Sequence, residues 1–120
     1  MTSAEAAVIA VVRDLFFVAR IRETARLTRV PLVFARTPEE LAARLSEPTR
    51  FVLLDLTGGF DYARVFETVE AAGRPPVLGF TTHALARQSQ PWHARCERVV
   101  TKETLTQELP ALLRDGVVAA

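Results

Sequence analysis

The stretch Phe51-Val52-Leu53-Leu54-Asp55 decides the fold. Four apolar residues in a row read as a strand buried on both faces, because a strand with one wet face alternates apolar and polar side chains. The carboxylate that closes the run needs solvent or a partner, so Asp55 is expected to lie exposed at the C-terminal end of this central strand. Val8-Ile9-Ala10-Val11-Val12 has the same form and ends in Arg13-Asp14.

Outward from these two runs, the pattern predicts strands over Ala7–Val12, Pro31–Ala35, Phe51–Asp55, Pro76–Phe80 and Arg98–Thr101. Helical periodicity fills the intervals. Asp14–Thr28 sets Phe17, Val18, Ile21 and Ala25 on one face and Arg22, Arg26 and Arg29 on another. Pro38–Leu45 opens with Thr37 as N-cap and proline at its first position. Asp61–Ala72 is capped by Asp61, points Val65, Phe66 and Val69 inward and stops at Gly73. Thr82–Ala94 is weaker, because Pro91 is expected to break it, and Pro110 fits the closing helix Thr104–Asp115 only if that helix starts near Thr106. Strand–helix alternation with short links implies parallel strands and right-handed crossovers. The expected fold is α/β: a flavodoxin-like doubly wound five-stranded parallel sheet, order 2-1-3-4-5, with five helices. Residues 1–120 contain no linker, repeat or low-complexity stretch and read as one domain without an output domain.

With 120 residues, 49% of them hydrophobic, the chain can bury a sizeable core. Its net charge of +1 gives no general attraction to nucleic acid or to anionic membrane, and neither is expected as a partner. The lone cysteine, Cys96, excludes an internal disulfide and fits a reducing compartment. Met1–Ala7 lacks the basic start of a secretion signal, and the apolar run after it ends at Arg13, far short of a membrane span. A cytoplasmic location follows as the expectation. Lys102 is the only lysine in an arginine-rich chain, which hints at a specific task.

In a doubly wound sheet the functional crevice lies beyond the carboxyl ends of the strands. Arg13-Asp14, Asp55, Thr81-Thr82 and Lys102 all fall there. Each has a plainer role when taken alone: Asp14, Asp61 and Thr82 as helix caps, Lys102 as a structural ion-pair partner of Asp55. Their arrival at one sheet edge favours a functional site.

The order of these strand ends resembles the CheY-like receiver domain of two-component signalling, over essentially the whole span from Val8 to Leu113. Val11-Val12-Arg13-Asp14 is similar to the family's acidic pair with only its second member kept. Leu53-Leu54-Asp55-Leu56 is similar to the phosphoacceptor strand, which makes Asp55 the phosphoacceptor candidate. Thr81 takes the place of the strand-four hydroxyl that bonds the phosphoryl group, and Lys102 that of the phosphate-contacting lysine. The resemblance also implies a Mg²⁺ site made by Asp14, Asp55 and the carbonyl of Thr57. It implies a histidine kinase or a downstream target as partner, with a homodimer compatible. The family often associates through its fourth helix and fifth strand, which makes Trp92, Val99 and Leu105 candidate interface residues; a plain core-edge role for Trp92 weighs equally.

The departures bear on mechanism. Arg13 replaces the first acid, Gly58-Gly59 replaces the usual loop proline, Val99 replaces the switch aromatic, and Glu103 replaces the proline after the lysine. Two cations now balance two carboxylates before any metal arrives. A guanidinium about 4 Å from a carboxylate near a protein surface is worth about 4 kcal/mol in raw Coulomb terms, so metal binding is expected to be weak. The expectation is a non-enzymatic, stand-alone signalling module acting by protein–protein interaction, a pseudo-receiver whose pocket is locked by Arg13 and Lys102 ion pairs and is phosphorylated weakly or not at all. The alternatives are a competent Mg²⁺-dependent phosphoacceptor and a small nucleotide- or anion-binding protein. Gly58-Gly59 would serve the latter, although neither G-x-G-x-x-G nor the P-loop pattern is present. His83, His93 and Cys96 are too few for a zinc site, and His93 is expected to face solvent and Cys96 the core. Arg20, Arg22, Arg26 and Arg29 read as a solvated basic face partly relieved by Glu23.

Overall fold

The computed structural model describes residues 5–116; Met1–Ala4 and the last four residues of the predicted single domain lie outside the described residues. Five parallel strands, β1 (Ala7–Val11), β2 (Leu32–Phe34), β3 (Thr49–Asp55), β4 (Val77–Thr81) and β5 (Arg98–Thr101), form one sheet in the order β2-β1-β3-β4-β5. The helices are α1 (Leu15–Thr28), α2 (Pro38–Leu45), α3 (Tyr62–Ala71), α4 (Ala86–His93), α5 (Lys102–Gln107) and α6 (Leu109–Asp115).

The continuous apolar runs split by parity into two core layers, because successive side chains of a strand point to opposite faces. Val8, Ala10, Val12, Leu53, Leu78 and Phe80 meet Phe17, Val18 and Ile21 of α1, Leu105 of α5 and Leu109, Leu112 and Leu113 of α6. Ile9, Val11, Val52, Leu54 and Val77 meet Leu41 of α2 and Val65, Phe66 and Val69 of α3 on the other side. Helices on both faces are what allow these strands to carry no polar residue until their ends.

Local chemistry sets the helix boundaries. Asp14 Oδ1 accepts the Phe16 and Phe17 N–H groups at 2.9 and 3.1 Å and starts α1. Thr37 Oγ1 accepts the Glu40 N–H at 3.0 Å while Glu40 Oε1 accepts the Arg36 N–H at 2.7 Å, a reciprocal cap on α2. Asp61 caps α3, and Gly73 with φ +92° turns the chain out of it.

Two proline expectations needed revision. Pro91 does not break α4; it lies inside it, and only the hydrogen bond that its missing N–H would have given is lost. The helix starts at Ala86 instead of Thr82, since Thr82 Oγ1 accepts the Leu85 N–H at 3.2 Å and holds the preceding residues in a turn. The closing helix, by contrast, is divided at Glu108 into α5 and α6, with Pro110 in the first turn of α6 where no N–H is needed.

Gly79 in β4 lies under Leu56 and Cys96: a Cβ there would come within 2.9 Å of Leu56 Cδ1 and of Cys96 Sγ. Gly79→Ala is therefore expected to lower stability by about 1–3 kcal/mol, the range of an overpacked core. In urea denaturation, Cys96→Ala should recover part of that loss in the double variant, since the two sites share one contact. Strict additivity of the two changes would count against the clash as the cause.

Candidate functional site at the carboxyl edge of the sheet

The strand ends bring Arg13, Asp14, Asp55, Thr81 and Lys102 to the same edge. Of these only Lys102 and Asp14 pair with each other; the other four do not converge on Asp55. Each polar group has its own local partner.

Asp55, expected to be exposed, is buried at 6% exposure. Its Oδ1 accepts two hydrogen bonds from Thr57, from the N–H and from Oγ1, both at 2.8 Å. The Tyr62 hydroxyl donates to the Asp55 carbonyl at 2.7 Å, and the hydroxyl oxygen in turn accepts the Gly58 N–H at 2.9 Å. Tyr62 thereby pins the β3–α3 loop across its base, and burial pushes the Tyr62 hydroxyl above its usual pKa.

Arg13 does not bond Asp55. Its Nη1 donates to the Gly59 carbonyl at 3.0 Å and more loosely to that of Gly58 at 3.5 Å, while Nη2 donates to the Arg36 carbonyl at 3.4 Å. The guanidinium lies 4.2 Å from the centroid of the Phe60 ring. One cation thus ties the β3–α3 loop to the segment after β2 and covers an aromatic face. Lys102 does not pair with Asp55 either: its Nζ lies 3.6 Å from Asp14 Oδ2 and 5.0 Å from the Phe17 ring centroid. The Phe17 N–H holds the Asp14 carboxyl below its ordinary value, with Lys102 and the Phe16 N–H adding to it against partial desolvation. The ion-pair lock on Asp55 expected from charge counting is accordingly replaced by separate ties to its neighbours.

Thr81, 4% exposed, turns to α4: its Oγ1 is 2.9 Å from Ser89 Oγ, which is in turn 2.8 Å from His93 Nε2. His93 is half-buried and engaged in this chain, where a solvent-facing side chain was expected. Cys96 is half-buried against the α3-side core, and burial, with Glu97 adding, pushes its thiol up to about 12. Sequence reading missed both Tyr62 and Ser89. Tyr62 is the first residue of α3 and Ser89 lies mid-helix, so neither falls at the strand ends where a polar partner was sought.

The expected interface does not form one surface. Leu105 is fully buried in the α1-side core, whereas Trp92 and Val99 pack on the opposite layer. Trp92 stacks on Phe66 at 5.8 Å between ring centroids and tilts against Tyr62 at the same distance, closing the core edge.

The implied Mg²⁺ finds a poor donor set in Asp14, Asp55 and Thr57. One Asp14 oxygen caps α1 and the other faces Lys102, one Asp55 oxygen is taken by Thr57, and a guanidinium bonds the loop carbonyls. Among the described residues no three His, Cys, Asp or Glu side chains are grouped to hold a metal ion. Hard divalent cations need several free oxygen ligands at once. Among the described residues, no helix is long and apolar enough to cross a membrane.

No family model matches the chain, and no curated protein matches it in sequence. Solved structures do match. A CheY-like response regulator receiver domain protein from Methanospirillum hungatei superposes with a TM-score of 0.75 at 11% identity, over 95% of this chain and 94% of that one. A response regulator receiver domain protein from Clostridium thermocellum gives 0.74 at 11% identity, over 94% of each chain. The receiver domain of a sensor histidine kinase from Pseudomonas aeruginosa, solved with a magnesium ion coordinated in its active-site cleft, gives 0.74 at 16% identity over 95% of this chain and 98% of that one. The fold is that of CheY-like response-regulator receiver domains.

Two outcomes are expected of the site. Arg13→Met should loosen the Gly58–Phe60 loop, lowering stability by about 1–2 kcal/mol and speeding amide exchange there, with little rescue by Arg13→Lys, which lacks the fork. For Asp14 the sign is set by its lowered pKa: its contribution is fully present above the ordinary value near 3.8 and is lost as pH falls through the lowered one. Thermal melts of wild type and Asp14→Asn should therefore differ by a constant amount above about pH 5 and approach each other below about pH 4.

Proposed function

We propose that the chain is a receiver-like signal-transduction module that acts through protein–protein contact, with a strand-end pocket that no longer works as an efficient phosphoacceptor. The observation that carries this reading is the position of Arg13. The resemblance puts a metal-binding carboxylate where this chain has a guanidinium bonded to the Gly59 and Arg36 carbonyls. Transfer of a phosphoryl group to a carboxylate needs a cation over the equatorial oxygens as charge builds there. Arg13 faces loop carbonyls, and Lys102 faces Asp14. A divalent cation entering this edge would have to draw Asp14 from Lys102 and Asp55 from Thr57 while lying near a fixed positive charge. We read the chain as one non-enzymatic, cytoplasmic receiver-like domain whose partners are signalling proteins, not nucleic acid or membrane.

The competent-phosphoacceptor reading keeps one supporting observation: among the described residues neither Arg13 nor Lys102 is bonded to Asp55, so no ion pair blocks it. The nucleotide-binding alternative loses support, since the Gly58 N–H already donates to Tyr62 and the Gly59 carbonyl already accepts from Arg13.

The deciding experiment is incubation with acetyl phosphate and Mg²⁺ followed by intact-mass measurement. The wild type is expected to gain no phosphoryl mass, and Arg13→Asp, which restores an acid beside Asp14, is expected to gain it. A wild-type phosphoryl adduct that vanishes in Asp55→Asn would overturn the reading.

A further inference from the structure

A cavity of about 260 Å³ lies at the opposite edge of the sheet from Asp55, where α3 ends, β4 begins and the turn between α4 and β5 meets both. Its floor is apolar: Phe66 and Val69 of α3 and Val77 of β4, all buried. Its rim is charged, with Glu70 and Arg74 on the α3 side and Arg95 and Glu97 on the turn. An apolar floor below a few converging charged groups is the usual form of a small-molecule site.

Two of the rim charges are consumed within the protein. Arg95 Nη2 donates to Glu70 Oε1 at 2.9 Å, and the guanidinium lies 4.9 Å from the Phe66 ring centroid, which holds it in place. The other two are not consumed. Arg74 reaches the same Glu70 oxygen only at 3.8 Å, beyond hydrogen-bond distance, and its side chain is 78% exposed. Glu97 Oε1 accepts the Val77 N–H at 2.6 Å, while the Glu97 N–H donates to the Val77 carbonyl at 3.0 Å. Those two bonds fix the carboxylate at the start of β4 without neutralising it. Among the described residues no cation pairs with Glu97. A tie that served only to hold α3 to the turn would need Arg95 and Glu70 alone.

The cavity thus sets a loosely held cation and an unpaired anion above one apolar floor. A simple carboxylate or phosphate would meet Arg74 and Arg95 but lie beside Glu97, like against like. An amine would meet Glu97 but lie beside two guanidiniums. A zwitterion answers both signs. Size narrows the choice: at about 30 Å³ for each water-sized group, the cavity holds roughly nine of them, about the heavy-atom count of leucine.

We propose that this cavity binds a small apolar α-amino acid, with its carboxylate on Arg74 and Arg95, its ammonium on Glu97 and its side chain on Phe66, Val69 and Val77. The cavity and Asp55 lie at opposite edges of the sheet, so this binding does not depend on the strand-end pocket.

The full chain is to be titrated with L-leucine and with two compounds that each lack one of its charges. 4-Methylpentanoate lacks the ammonium, and 3-methylbutylamine lacks the carboxylate. Trp92 is the single tryptophan and stacks on Phe66, so its emission reports on the floor, while amide shift mapping places the ligand. Leucine is expected to saturate, with shifts at residues 69, 70, 74, 77, 95 and 97, and each one-charge compound to bind about tenfold or more weakly. Glu97→Gln keeps an oxygen for the Val77 N–H and removes the charge, so the advantage of leucine over 4-methylpentanoate should disappear. In Arg74→Gln its advantage over 3-methylbutylamine should shrink. Both side chains are exposed, and both variants should melt near the wild type without ligand.

The inference is overturned if leucine gives no saturable shift at these residues up to about 10 mM, a concentration that fills even a weak specific site. It is also overturned if either one-charge compound binds as tightly as leucine, since the site would then serve a simple anion or amine. Asp55→Asn should bind leucine as the wild type does, and a loss there would equally count against the assignment. A phosphoryl adduct on the wild type, by contrast, would overturn the reading of the strand-end pocket and leave this cavity's ligand standing.

Discussion

Sealing β1, β3 and β4 between two helical layers constrains everything else in this molecule. A strand covered on both faces tolerates no polar side chain along its length, so the chain's polar chemistry is pushed to the ends of its strands. Asp55 follows directly on Leu53 and Leu54, each at most 1% exposed, and is the first place in β3 where a carboxylate can find donors. The same constraint delivers Arg13-Asp14 and Lys102 to that edge. It does not dictate whom they bond once there.

That distinction separates what was legible in the sequence from what was not. Sheet order, the buried face of α1 and the caps at Asp14, Thr37 and Asp61 follow from periodicity and from a few strong local rules. The strand ends follow from where the apolar runs stop. Partner choice within the edge turned on loop geometry, which no periodic signal carries. Arg13 reaches the Gly59 and Arg36 carbonyls because Phe60 offers its ring as a platform and the Gly58-Gly59 segment turns its carbonyls toward β1. Asp55 finds donors two residues onward in its own chain, closer at hand than any cation. Leu105 was misplaced for a related reason: a leucine after an N-terminal helical turn reads equally well as rim or as core, and only the packing of α5 against β4, β5 and α6 decides.

The edge that results is satisfied in pieces. Asp14 is matched by two amides and Lys102, Asp55 by Thr57, and Arg13 by backbone carbonyls and a ring face. Asp55 differs from Asp14 in that its partners are neutral: Thr57 satisfies its hydrogen bonds without cancelling its charge. Local pairing also stiffens the β3–α3 loop, held at its base by Tyr62 and at its tip by Arg13.

Thr81 and Lys102 make the contacts that join the strand ends to the helices beside them. The Thr81 hydroxyl is spent on Ser89 and, through it, His93, which anchors α4, a helix without a side-chain cap and with a proline inside it. With valine at position 99 instead of an aromatic, β5 offers no large side chain to swing between buried and exposed positions. The Lys102 ammonium, however, touches both the N-cap of α1 and the Phe17 ring, one residue from the exposed Phe16. A change in what Lys102 bonds alters the charge at the start of α1, where a capping carboxylate and the helix dipole are most sensitive to it. The strand ends are thus joined to α4 through Thr81 and to the start of α1 through Lys102.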